Sequence, residues 1–254
     1  MRRYSRDHRG LRYCASVQPI LVFTATYDEA RNAPIWVKGV REAVPEADLL
    51  VIDDGSPDGT GQILDALAAN DSKLTVIHRS GKSGLASAHL AAMTYALENG
   101  YQVLVTMDAD GSHLPAQVPS LLAALPGNDF VVGTRYRGGS HRAGVFRRVL
   151  SAGANGLARA VLPTGLSEYT TSFRAFDRRA LLWLVSARFT TGGYAFFVEC
   201  IEILHQGGFK MTETPIDFVD RTHGSSKIPK SQIFMSVKAL ASMGVRRRRS
   251  PERS

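Results

Sequence analysis

Two carboxylates, Asp108 and Asp110, close an apolar run in the stretch VLVTMDADGSHLP, residues 103–115. Side chains two residues apart on an extended chain turn to the same side, and like charges placed so repel unless a cation sits between them. Carboxylate oxygens select hard divalent cations, and Mg2+ or Mn2+ keeps water and diphosphate oxygens as its remaining ligands. The spacing therefore points to Mg2+ or Mn2+ neutralising a diphosphate. Two more acidic or polar clusters follow apolar runs, TYDE at residues 26–29 and IDDGSPDGTG at residues 52–61. Asp53, Asp54 and Asp58 also have a simpler reading as turn and N-cap residues, a role Asp fills routinely.

Strands and helices alternate around these clusters. ILVFTAT ending at Thr26, DLLVID, Lys73–His78, YQVLVTMD and DFVVGT read as strands. APIWVKGVREAV, TGQILDALAA, Leu85–Glu98 and Pro115–Leu125 read as helices. Continuous aliphatic strands, each followed by a helix, predict an α/β fold with a mostly parallel central sheet covered on both faces. In such sheets ligands bind beyond the carboxyl ends of the strands, near a switch in strand order. The three clusters should face one crevice.

Other phosphate-binding devices fail on spacing. RSGKSG, residues 79–84, contains the GKS of a P-loop, but the glycine required five residues before Gly81 is Val76. No GxGxxG follows the first strand. The diphosphate must be held by metal and side chains.

The chain has 254 residues, 44% hydrophobic, enough for a sizeable core. Its net charge of +8 invites an anionic partner, yet five arginines fall within the last nine residues. Much of the excess is a tail. Basic residues are not interleaved with stacking aromatics, so no nucleic-acid partner is expected. Cys14 and Cys200 form neither a disulfide framework nor a metal knuckle, which fits a reducing compartment. The basic N-terminal stretch lacks an apolar signal region, and no window carries about 18 to 20 consecutive apolar residues.

TYDE, VIDDGSPDGTG, KSGLASA, MDADGSHLP, VVGTRYRGG, TSFRAF, GYAFFVE and FVDRTHGSSK occur in that order between about Ile20 and Lys227. Together they resemble the polyprenyl-phosphate (dolichol-phosphate) mannose synthases of glycosyltransferase family 2. The resemblance implies a GT-A fold and inverting transfer of mannose from GDP-mannose to a polyprenyl monophosphate. It implies a nucleotide-sugar pocket of Ala25, Tyr27, Glu29, Ile52, Asp54, Lys82, Ala109 and Asp110, closed by a loop carrying Arg221 and Lys227. It makes Asp110 the main metal ligand, with Asp108 and Ser112 beside it, and sets Arg135, Arg147 and Ser151 against the acceptor phosphate. Asp108, Asp110 and Arg135 would carry catalysis.

Physical reasoning agrees with those roles. A lipid phosphate near neutral pH is already a nucleophile and needs no general base. Arginine forks suit its oxygens, and cations suit the departing nucleoside diphosphate. This chain departs from the family pattern at Ala25 and Asp28, where PTYNE reads ATYDE, at Ala86, and at Glu168, where aspartate is common. His113, His141 and His223 read as loop histidines without metal-ligand spacing, and Tyr169, Phe173 and Phe176 as core.

Residues 19–229 are expected to form the glycosyltransferase domain, after a basic extension over residues 1–18. SQIFMSVKALASMGV predicts an interfacial helix over residues 230–245, followed by a disordered polybasic tail over 246–254. A protein peripheral on the inner face of the cytoplasmic membrane is the corresponding expectation. The alternatives are a glucosyltransferase using UDP-glucose and a catalytically silent sugar-nucleotide-binding protein.

Overall fold

The computed structural model describes residues 18–141 and 145–219. Side chains of residues 141, 145–151 and 154 are outside that description, as are the predicted C-terminal helix, both tails and the loop bearing Arg221 and Lys227.

Strands β1 (Ile20–Thr26), β2 (Asp48–Asp53), β3 (Leu74–His78), β4 (Val103–Thr106) and β5 (Phe130–Thr134) alternate with α1 (Ala33–Ala43), α2 (Thr60–Ala68), α3 (Leu85–Glu98) and α4 (Val118–Ala124). A 3-10 turn, Pro115–Gln117, leads into α4. Each of these agrees in type with the sequence reading. β6 (Ser140–His141), α5 (Val145–Val161), β7 (Arg174–Asp177), α6 (Arg178–Ser186), α7 (Ala195–Gln206), β8 (Met211–Pro215) and β9 (Asp217–Phe218) follow.

The main sheet has seven strands in the order β3-β2-β1-β4-β7-β5-β8, and β6 pairs with β9 separately. Its pairings are parallel except at β7, which lies antiparallel between β4 and β5. Strand pleating sends alternate residues to opposite faces. Phe23, Leu50, Ile52 and Leu104 join α3, α6 and α7 through Ala92, Leu181 and Phe196. Val22, Leu49, Val51 and Val105 join α1, α2 and α4 through Trp36, Leu64 and Leu121. Both faces are therefore covered, and each fully buried aliphatic or aromatic side chain contributes about 1.5–3 kcal/mol.

The last described stretch of strand is divided. TPIDFV breaks between β8 and β9, because Pro215 has no N–H to extend the ladder and Ile216 is buried in the core. The chain then leaves β5 for β6, with Ser140 donating its N–H to the Ile216 carbonyl at 2.9 Å. This exchange brings Phe218 over the residues that follow β4.

Candidate active site

β1 lies between β2 and β4, so strand order reverses at β1 and the loops after these three parallel strands open on one edge. That is where a crevice forms in an open α/β sheet. The loops after β1 and β2 are laced together. Asp28 N–H donates to Ser56 Oγ (3.0 Å), Glu29 N–H to Thr60 Oγ1 (2.9 Å) and Ala30 N–H to Asp58 Oδ2 (3.0 Å). Asp28 sits at φ 54°, a left-handed conformation that a short polar side chain tolerates. Ala25, in contrast, lies within β1 opposite Ile52.

Of the three aspartates at the end of β2 and beyond it, two build the turn. Asp53 accepts from Thr26 Oγ1 (2.8 Å), Ser56 N–H (3.0 Å) and Ser56 Oγ (2.5 Å). Burial raises the pKa of Asp58, and hydrogen bonds from Thr60 and Ala30 outweigh that and hold it below its ordinary value. Asp54 remains as the binding candidate. It is buried, and Oδ1 takes Arg79 Nε at 2.5 Å while the same arginine's NH1 reaches Ser87 Oγ at 2.9 Å. Gly55 makes this approach possible: at φ 69°, a Cβ there would meet the Arg79 carbonyl at 3.2 Å. Ile52 belongs to the core, where its side chain is fully buried, and so offers the cleft no side-chain surface.

Tyr27 and Lys82, both expected at the nucleotide, come together across the crevice. Lys82 Nζ lies 3.8 Å from the Tyr27 ring centroid. Glu29 turns toward α1, accepting from Asn32 Nδ2 at 2.6 Å.

After β4, Ala109 packs into the core between the two aspartates. Asp110 is buried and accepts Ser112 N–H (3.0 Å) and Ser112 Oγ (2.5 Å) through Oδ1. Asp108, with its side chain 37% exposed, accepts Ser172 Oγ at 2.6 Å. His113 is not a solvated loop residue. It is buried against Phe173, Nδ1 accepts Asp108 N–H at 3.0 Å, and Nε2 lies 3.1 Å from Thr171 Oγ1. A ring nitrogen that accepts a backbone N–H is unprotonated, so the neutral ring carries its proton on Nε2. Burial holds its pKa below the ordinary value despite the nearby Asp108 and Asp110.

This donor set fits a hard cation. It offers two carboxylates and a hydroxyl and no thiolate, and His113 has both nitrogens committed. Among the described residues no group of three or more His, Cys, Asp and Glu side chains gathers as a metal site. A bound Mg2+ or Mn2+ would complete its shell with water and diphosphate oxygens, as these ions do.

Arg135 follows β5 and is nine-tenths buried. Nε donates to Glu168 Oε2 at 2.7 Å and NH2 to Thr170 Oγ1 at 3.0 Å, while the Phe218 ring centroid lies 4.8 Å from the guanidinium carbon. Burial opposes both charges, yet pairing prevails: Glu168 is held below its ordinary pKa and Arg135 above. From α5, Asn155 donates to Thr170 Oγ1 (3.2 Å) and Tyr136 OH (3.1 Å). Arg147 and Ser151 lie two turns and one turn earlier on that helix.

Phe218 joins the two halves. Its backbone bridges His113, Val219 N–H donates to the Ser112 carbonyl at 3.2 Å, and its ring meets His113 edge-on at 5.5 Å. The segment 168–172 is fixed from below by Arg174, fully buried, which donates to the carbonyls of Tyr169 (2.7 Å), Thr171 (2.7 Å) and Phe197 (2.8 Å). Burial pulls its pKa down to about 10. Arg79, His113, Asn155, Arg174 and Phe218 escaped assignment from sequence. Arg174 left one signal, a lone cation inside the apolar run SFRAF.

The profile of Glycosyl transferase family 2 matches residues 21–183. Polyprenol monophosphomannose synthase of Mycolicibacterium smegmatis is 40% identical over 241 residues, 92% of this chain and 91% of its own length. Undecaprenyl-phosphate mannosyltransferase of Micrococcus luteus is 38% identical over 211 residues, 82% of this chain and 87% of its own. Glucosyl-3-phosphoglycerate synthase from Mycobacterium tuberculosis, solved with Mn2+, UDP-glucose and phosphoglyceric acid, superposes with a TM-score of 0.67 at 19% identity, covering 90% of this chain and 80% of its own. A mannosyltransferase from Pyrobaculum calidifontis in complex with GDP-Man and Mn2+ gives 0.57 at 17%, covering 92% and 76%. The fold is GT-A, and the chain belongs to glycosyl transferase family 2.

Proposed function

We propose that this chain transfers mannose from GDP-mannose to a polyprenyl monophosphate at the cytoplasmic membrane surface, inverting the anomeric centre. The observation that carries the reading is identity of 40% and 38%, across most of the chain, to two enzymes whose names specify mannosyl transfer and a polyprenyl acceptor. The fold alone does not select the donor, since GT-A neighbours hold either UDP-glucose or GDP-Man. The acceptor's tail stays in the bilayer, so the enzyme must work at its surface. Among the described residues, no helix is long and apolar enough to cross a membrane.

In this reading one oxygen of the acceptor phosphate attacks the anomeric carbon as the bond to the diphosphate oxygen breaks. The electron pair leaves with GDP, and an α-linked donor gives a β-linked product. The phosphate arrives ionised, so no side chain removes a proton. Asp110, with Asp108 and Ser112, would hold the divalent cation, which when bound neutralises charge on the departing diphosphate. Asp54, held by Arg79, meets the nucleoside, and Tyr27 with Lys82 walls the same pocket. Arg135 offers its outer guanidinium edge to the acceptor, with Arg147 and Ser151 on α5. Arg221 and Lys227 close over the donor.

Purified protein, a polyprenyl phosphate and Mg2+ or Mn2+ should transfer sugar from GDP-mannose in preference to UDP-glucose and GDP-glucose. Preference for a glucose donor would replace the sugar assignment. Metal-dependent nucleotide binding without turnover would make the chain a silent binding protein.

A further inference from the structure

The Arg135 guanidinium has three nitrogens, and two are engaged. Nε is taken by Glu168 Oε2, NH2 by Thr170 Oγ1, and the flat face carries the Phe218 ring. Among the described residues NH1 has no hydrogen-bond partner. Glu168 is fully buried and receives, besides Arg135, the N–H of Thr170 (2.9 Å), the hydroxyl of Thr170 (2.9 Å) and the N–H of Thr171 (3.2 Å). A carboxylate with that many fixed donors has one orientation. The Thr170 hydroxyl is saturated too, giving its proton to Glu168 while accepting from Arg135 and Asn155.

We infer that Glu168 is a positioning residue for acceptor binding: it locks the Arg135 guanidinium so that NH1 and the outer proton of NH2 face an incoming phosphate. The inference rests on the proposed placement of the acceptor at Arg135. A buried ion pair contributes little net stability because desolvation offsets the attraction. What the pair does supply is orientation, and orientation matters where one anion must approach another. Arg135 cannot turn its Nε edge outward without breaking a 2.7 Å charge-assisted bond. Binding of the phosphate is thus confined to the outer edge rather than the whole guanidinium fork.

Farnesyl phosphate serves as a short acceptor probe, titrated by calorimetry into the full chain, with GDP plus Mn2+ titrated separately. Glu168→Gln should weaken farnesyl phosphate about tenfold while leaving GDP within about twofold. Glu168→Asp should recover the acceptor to within about threefold of the unsubstituted protein. In an Arg135→Gln background, adding Glu168→Gln should change acceptor binding no further, since the residue acts only through the arginine. Equal loss of both ligands in Glu168→Gln, or a further acceptor loss in the double variant, would overturn the role. Should Glu168→Gln fail to fold, the comparison of Arg135→Gln with the double variant, which removes both buried charges, decides alone. Unchanged acceptor binding in Arg135→Gln would overturn the acceptor's placement. Weakened binding there beside unchanged binding in Glu168→Gln would overturn Glu168's role only.

Discussion

The backbone N–H of Asp108 donates to Nδ1 of His113 at 3.0 Å, so a buried neutral imidazole supports the start of the aspartate pair. The ring spans from there to Thr171 Oγ1 and stacks 5.1 Å from Phe173. His113→Ala should leave a buried N–H unpaired, lowering stability by about 1–3 kcal/mol in urea unfolding. It should also weaken Mn2+-dependent GDP binding about tenfold, because the loop holding both carboxylates loses its support. Calorimetry checks the second effect, and GDP affinity equal to the unsubstituted protein's would reduce the ring to a packing role.

Asp110→Ala should abolish transfer, and Asp108→Ala should be severe. Rates measured with Mn2+ and again with excess chelator test this directly. Chelator-resistant activity would remove the metal from the proposal.

Asp54 is buried beside a cation, and that cation can be deleted. Arg79→Met should leave a carboxylate in a poorly solvated site, weakening GDP about tenfold. Equilibrium titration of GDP reads the effect. Identical affinities would show that the pair only pins the loop after β3 to the turn at Gly55.

Arg147→Ala and Ser151→Ala should raise the requirement for lipid phosphate while leaving GDP affinity nearly unchanged. The two positions are one helical turn apart on α5, the helix that Asn155 ties to Thr170. Lost GDP binding would place the helix on the donor side.

His89 provides a pH signature away from the site. Burial among Phe23, Phe196 and Phe197, aided by the Arg174 charge, brings its pKa down to about 3. The unfolded chain takes up a proton below about pH 6.5 that the folded one refuses, so the stability due to this group is complete above that pH. It is lost as pH falls toward 3, costing about 2 kcal/mol between pH 7 and 5. Urea unfolding at those two values should show the loss, and His89→Leu should flatten it. An unchanged slope in the variant would assign acid sensitivity to other groups.

The Arg135–Glu168 contact shows where reading along the chain stops. Both residues were visible in GTRY and in the acidic position before TSFR, one as an acceptor ligand and the other as a departure from pattern. Their 2.7 Å contact joins positions 33 residues apart and exists because β7 enters antiparallel between β4 and β5. Nothing in local hydrophobic period encodes that insertion. Ile52 shows the same limit: the resemblance set it in the nucleotide pocket, and strand pleating turns its side chain into the core.

The sequence by itself determined the elements from β1 to β5, since continuous aliphatic strands and helical spacing are local signals that burial on two faces reinforces. It also set Asp108 and Asp110 just past a buried strand, the spacing from which a cation was expected. Tertiary structure decided which polar residues are free to act. Asp53 and Asp58 were committed to turn N–H groups and His113 to the backbone of Asp108, while Arg79 set the orientation of Asp54. A buried polar atom must find a partner, and that partner is chosen by packing between distant segments rather than by neighbours in the chain.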